Sequence, residues 1–230
     1  MAFYLPPGVE YFPHPLCADP DGLLAIGTEL SAHQLLLAYQ FGIFPWYHEE
    51  DPILWWYTHP RCVLFPSQLK ISKSMRQLLK KQAFNVSFDS AFKEVIQACQ
   101  LVKREGQDDT WITDKLIATF IDLHEKGYAH SIEVWQEGKL VGGLYGLALG
   151  KMFYGESMFS NVSNASKYGF IKLVQYLETH NFELIDCQQR TEHLISLGAE
   201  MISSDRFYKH LKTNIFNIVA PCKWVYAENR

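Results

Sequence analysis

The sequence predicts an α+β protein in which a small N-terminal domain precedes a mixed sheet flanked by helices. From Ser131 onward the predicted elements follow the order β-β-β-α-β-α-β-α, which is typical of a sheet with helices packed on its faces. The chain has 230 residues, of which 48% are hydrophobic, so it can form one large domain or a small domain joined to a medium one. We place the two domains at 1–62 and 63–230.

The N-terminal domain is predicted to contain one helix and one aromatic strand. Ser31 and Gln34 form a capping-box pattern ahead of a helix over Ala32–Phe41, with Gln34 reaching back to the start of the helix. The next segment contains a proline, which excludes a helix, so Trp46 and Tyr47 are expected on a loop. The run ILWWY that follows is predicted to be a strand.

Basic residues cluster in a stretch that has no acidic ones. Residues 52–88 contain six Lys and Arg, so they carry +6 and the rest of the chain carries −10, although the formal net charge is −4. A helix is predicted over 70–81. The six cations are Arg61, Lys70, Lys73, Arg76, Lys80 and Lys81. Spacings of three and four put most of them on one helical face, which fits a phosphate backbone and equally fits a solvated amphipathic helix.

The remaining elements follow from hydrophobic period, caps and turns. Trp111 is placed just before a helix capped by Thr113, in an acidic loop. The predicted helices are Phe92–Val102, Thr113–Lys126, Asn164–His180, Thr191–Leu197 and Asp205–Leu211. The predicted strands are Ser131–Gln136, Lys139–Leu149, Met152–Phe159, Phe182–Gln188 and Ala199–Ile202.

The strand LIDCQ carries a carboxylate in an apolar setting. Alternation puts Asp186 and Gln188 on one face and Ile185 and Cys187 on the other. A carboxylate at such a position either faces a cleft or is held by a partner that offsets its burial. Both interpretations stay open.

A second candidate is the strand FYGESMF, where Glu156 is the single charge and Gly155 permits close approach. Glu156 could accept hydrogen bonds from a nucleobase edge, hold an ammonium, or pair with a surface Lys. The loop after it runs from Ser160 into a helix N-terminus, which suits an anion or a carbonyl oxygen. Simple capping by Asn164 or Ser163 is the alternative.

Other side chains argue for or against particular partners. Trp46, Tyr47 and Trp111 could stack on bases or pack locally. Neither the histidine spacing nor the five cysteines, which include no C-x-x-C pair, fits a metal site, and reduced thiols favour the cytoplasm. We see neither a signal peptide nor an apolar stretch of membrane-spanning length.

Several runs together resemble one family, the leucyl/phenylalanyl-tRNA–protein transferases. The resemblance covers about residues 12–207. The runs are DPDGLLAIGTELSAHQLLLAYQFGIFPWY, DPILWWYTHPRCVLFP, TWIT, LHEKGYAHSIEVW, LVGGLYGLALG, FYGESMFSNVSNASK and LIDCQ with TEHLISLGA after it.

The resemblance implies a fold and a reaction. The family's second domain is similar to GNAT acyltransferases. Its members move Leu or Phe, and Met less well, from aminoacyl-tRNA to proteins that begin with Arg or Lys, which marks the acceptor for degradation by the N-degron pathway. SNVSNASK stands where a GNAT enzyme has its loop for acyl-CoA, which argues against CoA as donor. Aminoacyl-tRNA is then the co-substrate, and we expect no cofactor, metal or membrane.

The resemblance also implies roles for individual residues. Asp186 and Gln188 belong to the reaction centre. The aminoacyl end and its adenosine are bound by Trp46, Trp111, Gly155, Glu156, Ser160 and Asn164. The donor side chain lies among Leu144, Phe153, Met158, Phe170, Leu177 and Ile185. The tRNA backbone contacts Lys70, Lys73, Arg76, Lys80 and Lys81.

The chemistry is aminolysis of an ester. The acceptor's α-amine has an ordinary pKa of about 7.7–8.0, so it must lose a proton before attack. Asp186 could accept that proton or orient the amine through Gln188, and the terminal ribose 2′-OH is an alternative. Because alternation puts Cys187 on the face opposite Asp186, we expect no role for it as nucleophile. His193 shows no metal-ligand partner in the sequence.

Two rival functions remain. One is an acyl-CoA N-acetyltransferase, and the other is an RNA-binding module without catalysis.

Overall fold

The computed structural model describes residues 1–102, 110–215, 217 and 219–226, and these form an α+β fold. The strands are β1 (Phe3–Leu5), β2 (Leu23–Gly27), β3 (Phe44–Pro45), β4 (Ile53–Trp56), β5 (Arg61–Leu64), β6 (Asn85–Phe88), β7 (Ala129–Gln136), β8 (Lys139–Leu149), β9 (Met152–Ser160), β10 (Leu184–Gln188) and β11 (Glu200–Ile202). The helices are α1 (Ala32–Gln40), α2 (Lys73–Lys80), α3 (Phe92–Gln100), α4 (Asp114–Glu125), α5 (Ala165–Thr179), α6 (Glu192–Ser196) and α7 (Ser204–Ile215). The predicted element order from Ser131 onward is thereby confirmed, with ends that shift by a few residues, whereas β1, β2, β3, β5 and β6 were not predicted.

The strands form a small and a large sheet. The small sheet has the order β1-β2-β4-β3, and the large one has the order β11-β5-β10-β9-β8-β7-β6. Strand β10 runs parallel to β9 and antiparallel to β5, so the large sheet is mixed, as predicted. Helices α3 and α5 pack on β7 and β8.

The two sheets share a hydrophobic core. Strand β5 contains the predicted boundary at residue 62 and belongs to the large sheet, so the chain changes sheet between Trp56 and Arg61. Tyr39 of α1 meets Tyr154 of β9 edge-on, with ring centroids 5.2 Å apart. The division into two domains stays a prediction, and the packing makes the site depend on both sheets.

The capping-box prediction at α1 is confirmed for Ser31 and wrong for Gln34. The Ser31 Oγ atom accepts a hydrogen bond from the Gln34 backbone N at 3.2 Å, as the N-cap of a helix should. The Gln34 side chain is buried, and its Oε1 atom has no hydrogen-bond partner among the described residues, so it does not reach back. The predicted cap of α4 is confirmed, because the Thr113 Oγ1 atom accepts from the Leu116 N.

The basic helix is shorter than predicted. Ser72 is its N-cap, since the Ser72 Oγ atom accepts from the Met75 N at 3.3 Å, and α2 begins at Lys73. The prediction that Lys70 lies on the helix is therefore wrong. Lys70 precedes it, and its backbone N donates to the Leu197 carbonyl.

None of the helices within the described ranges is both long and apolar enough to cross a membrane.

Candidate active site

A cavity opens where two parallel strands stop pairing. Strands β9 and β10 are in register from Leu184 opposite Met152 to Asp186 opposite Tyr154, and their pairing ends there. Both strands continue beyond that pair, so Glu156 and Gln188 lie past the last pair. The gap holds a cavity of about 430 Å³.

Three kinds of side chain line this cavity. The N-terminal segment contributes Phe44, Pro45 and Trp46, and the segment before α4 contributes Trp111. The apolar residues of the large sheet and α5 are Leu144, Phe153, Met158, Phe170 and Ile185. The remaining lining residues are Tyr145, Gly155, Glu156, Ser157, Cys187, Gln188, Gln189, Thr191, His193 and Leu194. The cavity thus offers an apolar pocket beside a few polar groups, as binding sites for small ligands commonly do.

Glu156 is the central acid of the cavity. Its Oε1 atom accepts hydrogen bonds from the Tyr39 hydroxyl at 2.6 Å and from the Gln188 Nε2 at 3.0 Å. Burial raises the pKa of Glu156 to about 7, and the charge of Asp186 adds to the rise, while the two hydrogen bonds oppose it. Glu156 therefore changes charge near neutral pH.

Asp186 does not line the cavity. It is fully buried, and Arg61 holds it through Nε to Oδ1 at 2.8 Å and Nη2 to Oδ2 at 2.7 Å. Its Oδ1 also accepts from the Gln188 backbone N at 2.9 Å. Of the two interpretations of Asp186, the structure favours the carboxylate held by a partner, and the geometry gives it no direct contact with a molecule in the cavity.

Arg61 ties Asp186 to the N-terminal segment. The Arg61 Nη2 atom also donates to the Gly42 carbonyl at 2.9 Å, and Nη1 donates to the Thr58 hydroxyl at 3.2 Å. Gly42 lies two residues before Phe44, the first of the cavity-lining residues in the chain. The buried ion pair thus links β10 to the N-terminal segment, and Arg61 is buried, unlike the other five cations of the acid-free stretch.

A bulge at the end of β10 overturns the alternation argument. The register with β5 skips Cys187, and Gln188 has a φ of +58°. As a result Cys187 and Gln188 both line the cavity while Asp186 does not, so the predicted placement of Cys187 away from the site is wrong. The neighbouring Cys62 thiol and burial raise the pKa of Cys187 well above its ordinary value, so Cys187 stays a thiol rather than a reactive thiolate.

The three loop aromatics separate into two groups. Trp46 and Trp111 are half-buried and line the cavity, as predicted for contact with a ligand. Tyr47 is 6% exposed, and its hydroxyl lies 3.3 Å from the Thr113 Oγ1 atom, so it packs locally. The acidic loop before Trp111 lies largely at 103–109, outside the described residues.

Five of the six predicted donor-pocket residues line the cavity, and Leu177 is the exception. Leu177 is fully buried in the core cluster and lies two turns beyond Phe170 on α5. Its predicted place in the pocket is therefore wrong, because the apolar face of α5 continues into the core after it leaves the cavity.

The loop after β9 caps a helix and does not line the cavity. The Ser160 Oγ atom accepts from the Ser166 N at 3.2 Å and donates to the Val162 carbonyl. Asn164 is exposed with a φ of +69°, and its side chain makes no capping hydrogen bond. The prediction that Asn164 or Ser163 caps the helix is wrong, because Ser160 makes the capping hydrogen bond, and neither Ser160 nor Asn164 lines the cavity.

The remaining cations form an open surface. The side chains of Lys70, Lys73, Arg76, Lys80 and Lys81 are all exposed. Met75 on the opposite face of α2 is buried, which orients the helix. We call these five residues the basic surface.

The sequence did not identify Tyr39 as a site residue, and it gave no role to His193. No sequence signal marks Tyr39, because its partner Glu156 is 117 residues away. His193 lines the cavity, where the sequence showed only a histidine without partners. Within the described ranges, no cluster of three or more His, Cys, Asp or Glu could hold a metal ion.

Comparison with solved structures finds only distant similarity. A GCN5-related N-acetyltransferase from Kribbella flavida matches with a TM-score of 0.36 and 10% identity, over 73% of this chain and 60% of that one. A conserved protein of unknown function from Bacteroides thetaiotaomicron matches with a TM-score of 0.47 and 13% identity, over 64% of this chain and 58% of that one. No functional conclusion follows from similarities of this size.

Comparison with protein sequences is decisive. A family model described as leucyl/phenylalanyl-tRNA protein transferase matches residues 63–212, and the model of its N-terminal domain matches residues 28–59. A leucyl/phenylalanyl-tRNA–protein transferase of Syntrophobacter fumaroxidans is 53% identical over 93% of this chain and 91% of its own length. One of Pseudomonas fluorescens is 54% identical over 86% of this chain and 87% of its own length. The chain therefore belongs to the leucyl/phenylalanyl-tRNA–protein transferase family, whose members are aminoacyltransferases.

Proposed function

We propose that this enzyme transfers Leu or Phe, and Met less well, from aminoacyl-tRNA to the α-amino group of proteins that begin with Arg or Lys. The observation that carries the proposal is the composition of the cavity. It places five apolar side chains beside Glu156, Gln188 and two tryptophans, in a chain that belongs to this family. That combination suits an apolar donor side chain attached to a nucleotide.

Each part of the cavity takes one part of the donor. Trp46 and Trp111 stack against the terminal adenosine, and Glu156 accepts hydrogen bonds from its base edge. The donor side chain lies among Leu144, Phe153, Met158, Phe170 and Ile185. Such a pocket discriminates by shape, and one methylene is worth about 1–3 kcal/mol, so several apolar donors are accepted.

The reaction centre lies at the end of β10. Gln188 has its side chain fixed by Glu156 and its backbone fixed by Asp186. Asp186 acts through Gln188 as a positioning residue, since Arg61 already occupies both of its oxygens. A positioned Gln188 aligns the ester and the amine, and such alignment accelerates reactions strongly.

The basic surface binds the tRNA backbone. Phosphate contacts of this kind depend little on base sequence and weaken with salt. The ester is already activated, so the proposed reaction uses aminoacyl-tRNA alone, with no cofactor and no metal. We place the enzyme in the cytoplasm, where the new N-terminus marks acceptors for the N-degron pathway.

The proposal is tested by mixing the enzyme with Leu-tRNA and a peptide that begins with Arg. We expect the peptide mass to increase by one leucyl residue. A peptide that begins with Gly and a reaction with acetyl-CoA in place of Leu-tRNA are the controls. An acetyl mass shift would favour the N-acetyltransferase alternative. Binding of tRNA without any product would favour the RNA-binding alternative.

A pair of matched variants tests the donor pocket in the same assay. Phe153→Leu enlarges the cavity, and Phe84→Leu makes the same change at a buried position that neither lines the cavity nor stacks on a ring that does. We expect Phe153→Leu to change the ratio of Leu to Phe transfer by about 5- to 150-fold, consistent with about 1–3 kcal/mol. The Phe84→Leu ratio should equal that of the unchanged enzyme, and equal ratios in both variants would contradict the pocket assignment.

A further inference from the structure

Trp224 packs against Phe153 without lining the cavity itself. It lies in the segment 219–226, beyond residues 63–212 that the family model matches. Its side chain is buried, and its indole ring lies 5.8 Å from the Phe153 ring, centroid to centroid, with the planes 36° apart. Phe153 lines the cavity, and Trp224 does not. Trp224 is therefore placed to influence the donor pocket through Phe153.

Trp224 is fixed in this position by several contacts. Its backbone N donates to the Asp89 Oδ2 atom at 2.7 Å. The same oxygen lies 2.8 Å from the His130 Nδ1 atom, and the His130 ring stacks on the indole with centroids 3.8 Å apart and planes 6° apart. The rings of Tyr176 and Phe182 lie 4.9 and 5.9 Å from the indole, centroid to centroid. Because packed aromatic rings and a backbone hydrogen bond hold it, the indole is a rigid support.

The Phe153 ring is also confined on the side of β8. A Cβ atom on Gly146 would lie 2.5 Å from the Phe153 Cζ atom, so the ring occupies space that only a glycine leaves free. Trp224 in turn lines a second cavity of about 320 Å³. Removal of the indole would join its volume to this second cavity and let the Phe153 ring move out of the wall of the donor pocket.

We infer that Trp224 is a positioning residue, which sets the size of the donor pocket by holding the Phe153 ring in place. This inference rests on the proposed function and deepens it, because it assigns part of the choice between donors to a residue outside the cavity. Protein interiors are close-packed, so a ring that loses its support shifts into the space left behind. A larger pocket favours the larger donor side chain, so loss of the indole should favour Phe over Leu.

The test compares Trp224→Leu with Tyr226→Leu in the full chain. Tyr226 belongs to the same segment, but its ring stacks on Phe88, which does not line the cavity. The measurement is kcat/KM for Leu-tRNA and for Phe-tRNA at a saturating concentration of Arg peptide.

We expect Trp224→Leu to raise the ratio of Phe to Leu transfer by about 2- to 12-fold, the range that corresponds to the interaction of one aromatic pair. Tyr226→Leu should leave the ratio unchanged. Trp224→Phe should give a smaller shift in the same direction, and it carries the test if Trp224→Leu does not fold.

A double variant separates support of Phe153 from a general loss of stability. Lower stability reduces the transfer of both donors equally, so it leaves their ratio unchanged. In the Phe153→Leu background the indole has no ring to support, so the effect of Trp224→Leu on the ratio should largely disappear.

Three results would overturn the inference while leaving the proposed function intact. They are a ratio in the Trp224 variants that is unchanged or shifts toward Leu, an equal shift in Tyr226→Leu, and a shift of the same size with and without the Phe153 ring. Absence of transfer of either donor by the unchanged enzyme would instead overturn the proposed function, and the inference with it.

Discussion

Arg61 and the cations of α2 come from the same acid-free stretch of sequence and end in opposite environments. Arg61 is 1% exposed and makes four hydrogen bonds, two of them to Asp186. Lys73, Arg76 and Lys80 are exposed on a helix whose other face is held by Met75. Cations from one stretch of sequence thus lie in two environments: Arg61 is in a buried ion pair, and the α2 cations are on the exposed surface.

The comparison shows that the neighbouring secondary-structure element determines whether a charged side chain is buried and paired or exposed to water. Arg61 lies on β5, which pairs with β10, the strand that carries Asp186. A charge at that place must be paired, because an unpaired buried ion costs several kcal/mol. The α2 cations are exposed, so their contribution to stability is small, and they create a positive potential at the surface.

The largest effect is expected from Arg61→Met. The change leaves the Asp186 carboxylate buried without its partner, so we expect a loss of about 3–5 kcal/mol in the free energy of unfolding. Urea unfolding measures it. The matched variant Arg61→Met with Asp186→Asn removes both charges and should recover a large part of that loss. Equal stability of the single and double variants would show that the pair does not act as a unit.

A smaller effect on the free energy of unfolding is expected from the exposed cations of α2. Lys73→Glu with Arg76→Glu reverses two charges of the basic surface, and the free energy of unfolding should change by less than about 0.5 kcal/mol. The affinity for tRNA should fall, and the slope of log affinity against log salt should flatten by about 1–2.

The control for the basic surface is Lys93→Glu with Lys115→Glu, which changes the net charge equally on exposed positions of α3 and α4. If both pairs weaken tRNA binding to the same extent, overall charge rather than the basic surface governs the affinity.

Local patterns in the sequence predicted much of this molecule. The amphipathic period predicted α2 and α5, and the aromatic run that contains Glu156 predicted a strand, which the structure shows to line the cavity. Pairings across long separations were not predictable from such patterns, since Arg61 meets Asp186 125 residues later. The bulge at Cys187 was hidden as well, because strict alternation assumes a regular strand.

Glu156 lies between the two extremes in burial, and its effect on stability depends on pH. Its carboxylate is half-buried, is hydrogen-bonded by Tyr39 and Gln188, and has no cation among those hydrogen-bond partners. Its folded pKa of about 7 exceeds the ordinary value of about 4.3 for Glu. Between these values the unfolded chain releases the proton while the folded chain keeps it, so this group lowers stability as pH rises from about 4.5 to about 7, with no further change above.

Glu156→Gln removes that titration and keeps a carbonyl oxygen for the same two donors. Relative to the unchanged enzyme, we expect the variant to gain stability as pH rises through this range, by about 1–2 kcal/mol in total because the group is partly solvated. Urea unfolding at pH 5, 6, 7 and 8 measures the difference in stability. Glu178→Gln, at an exposed position of α5, is the control. A difference that stays constant with pH would mean that Glu156 behaves like the exposed charges. A rise confined to this window would mean that burial, together with the charge of Asp186, makes Glu156 destabilising when it is ionised.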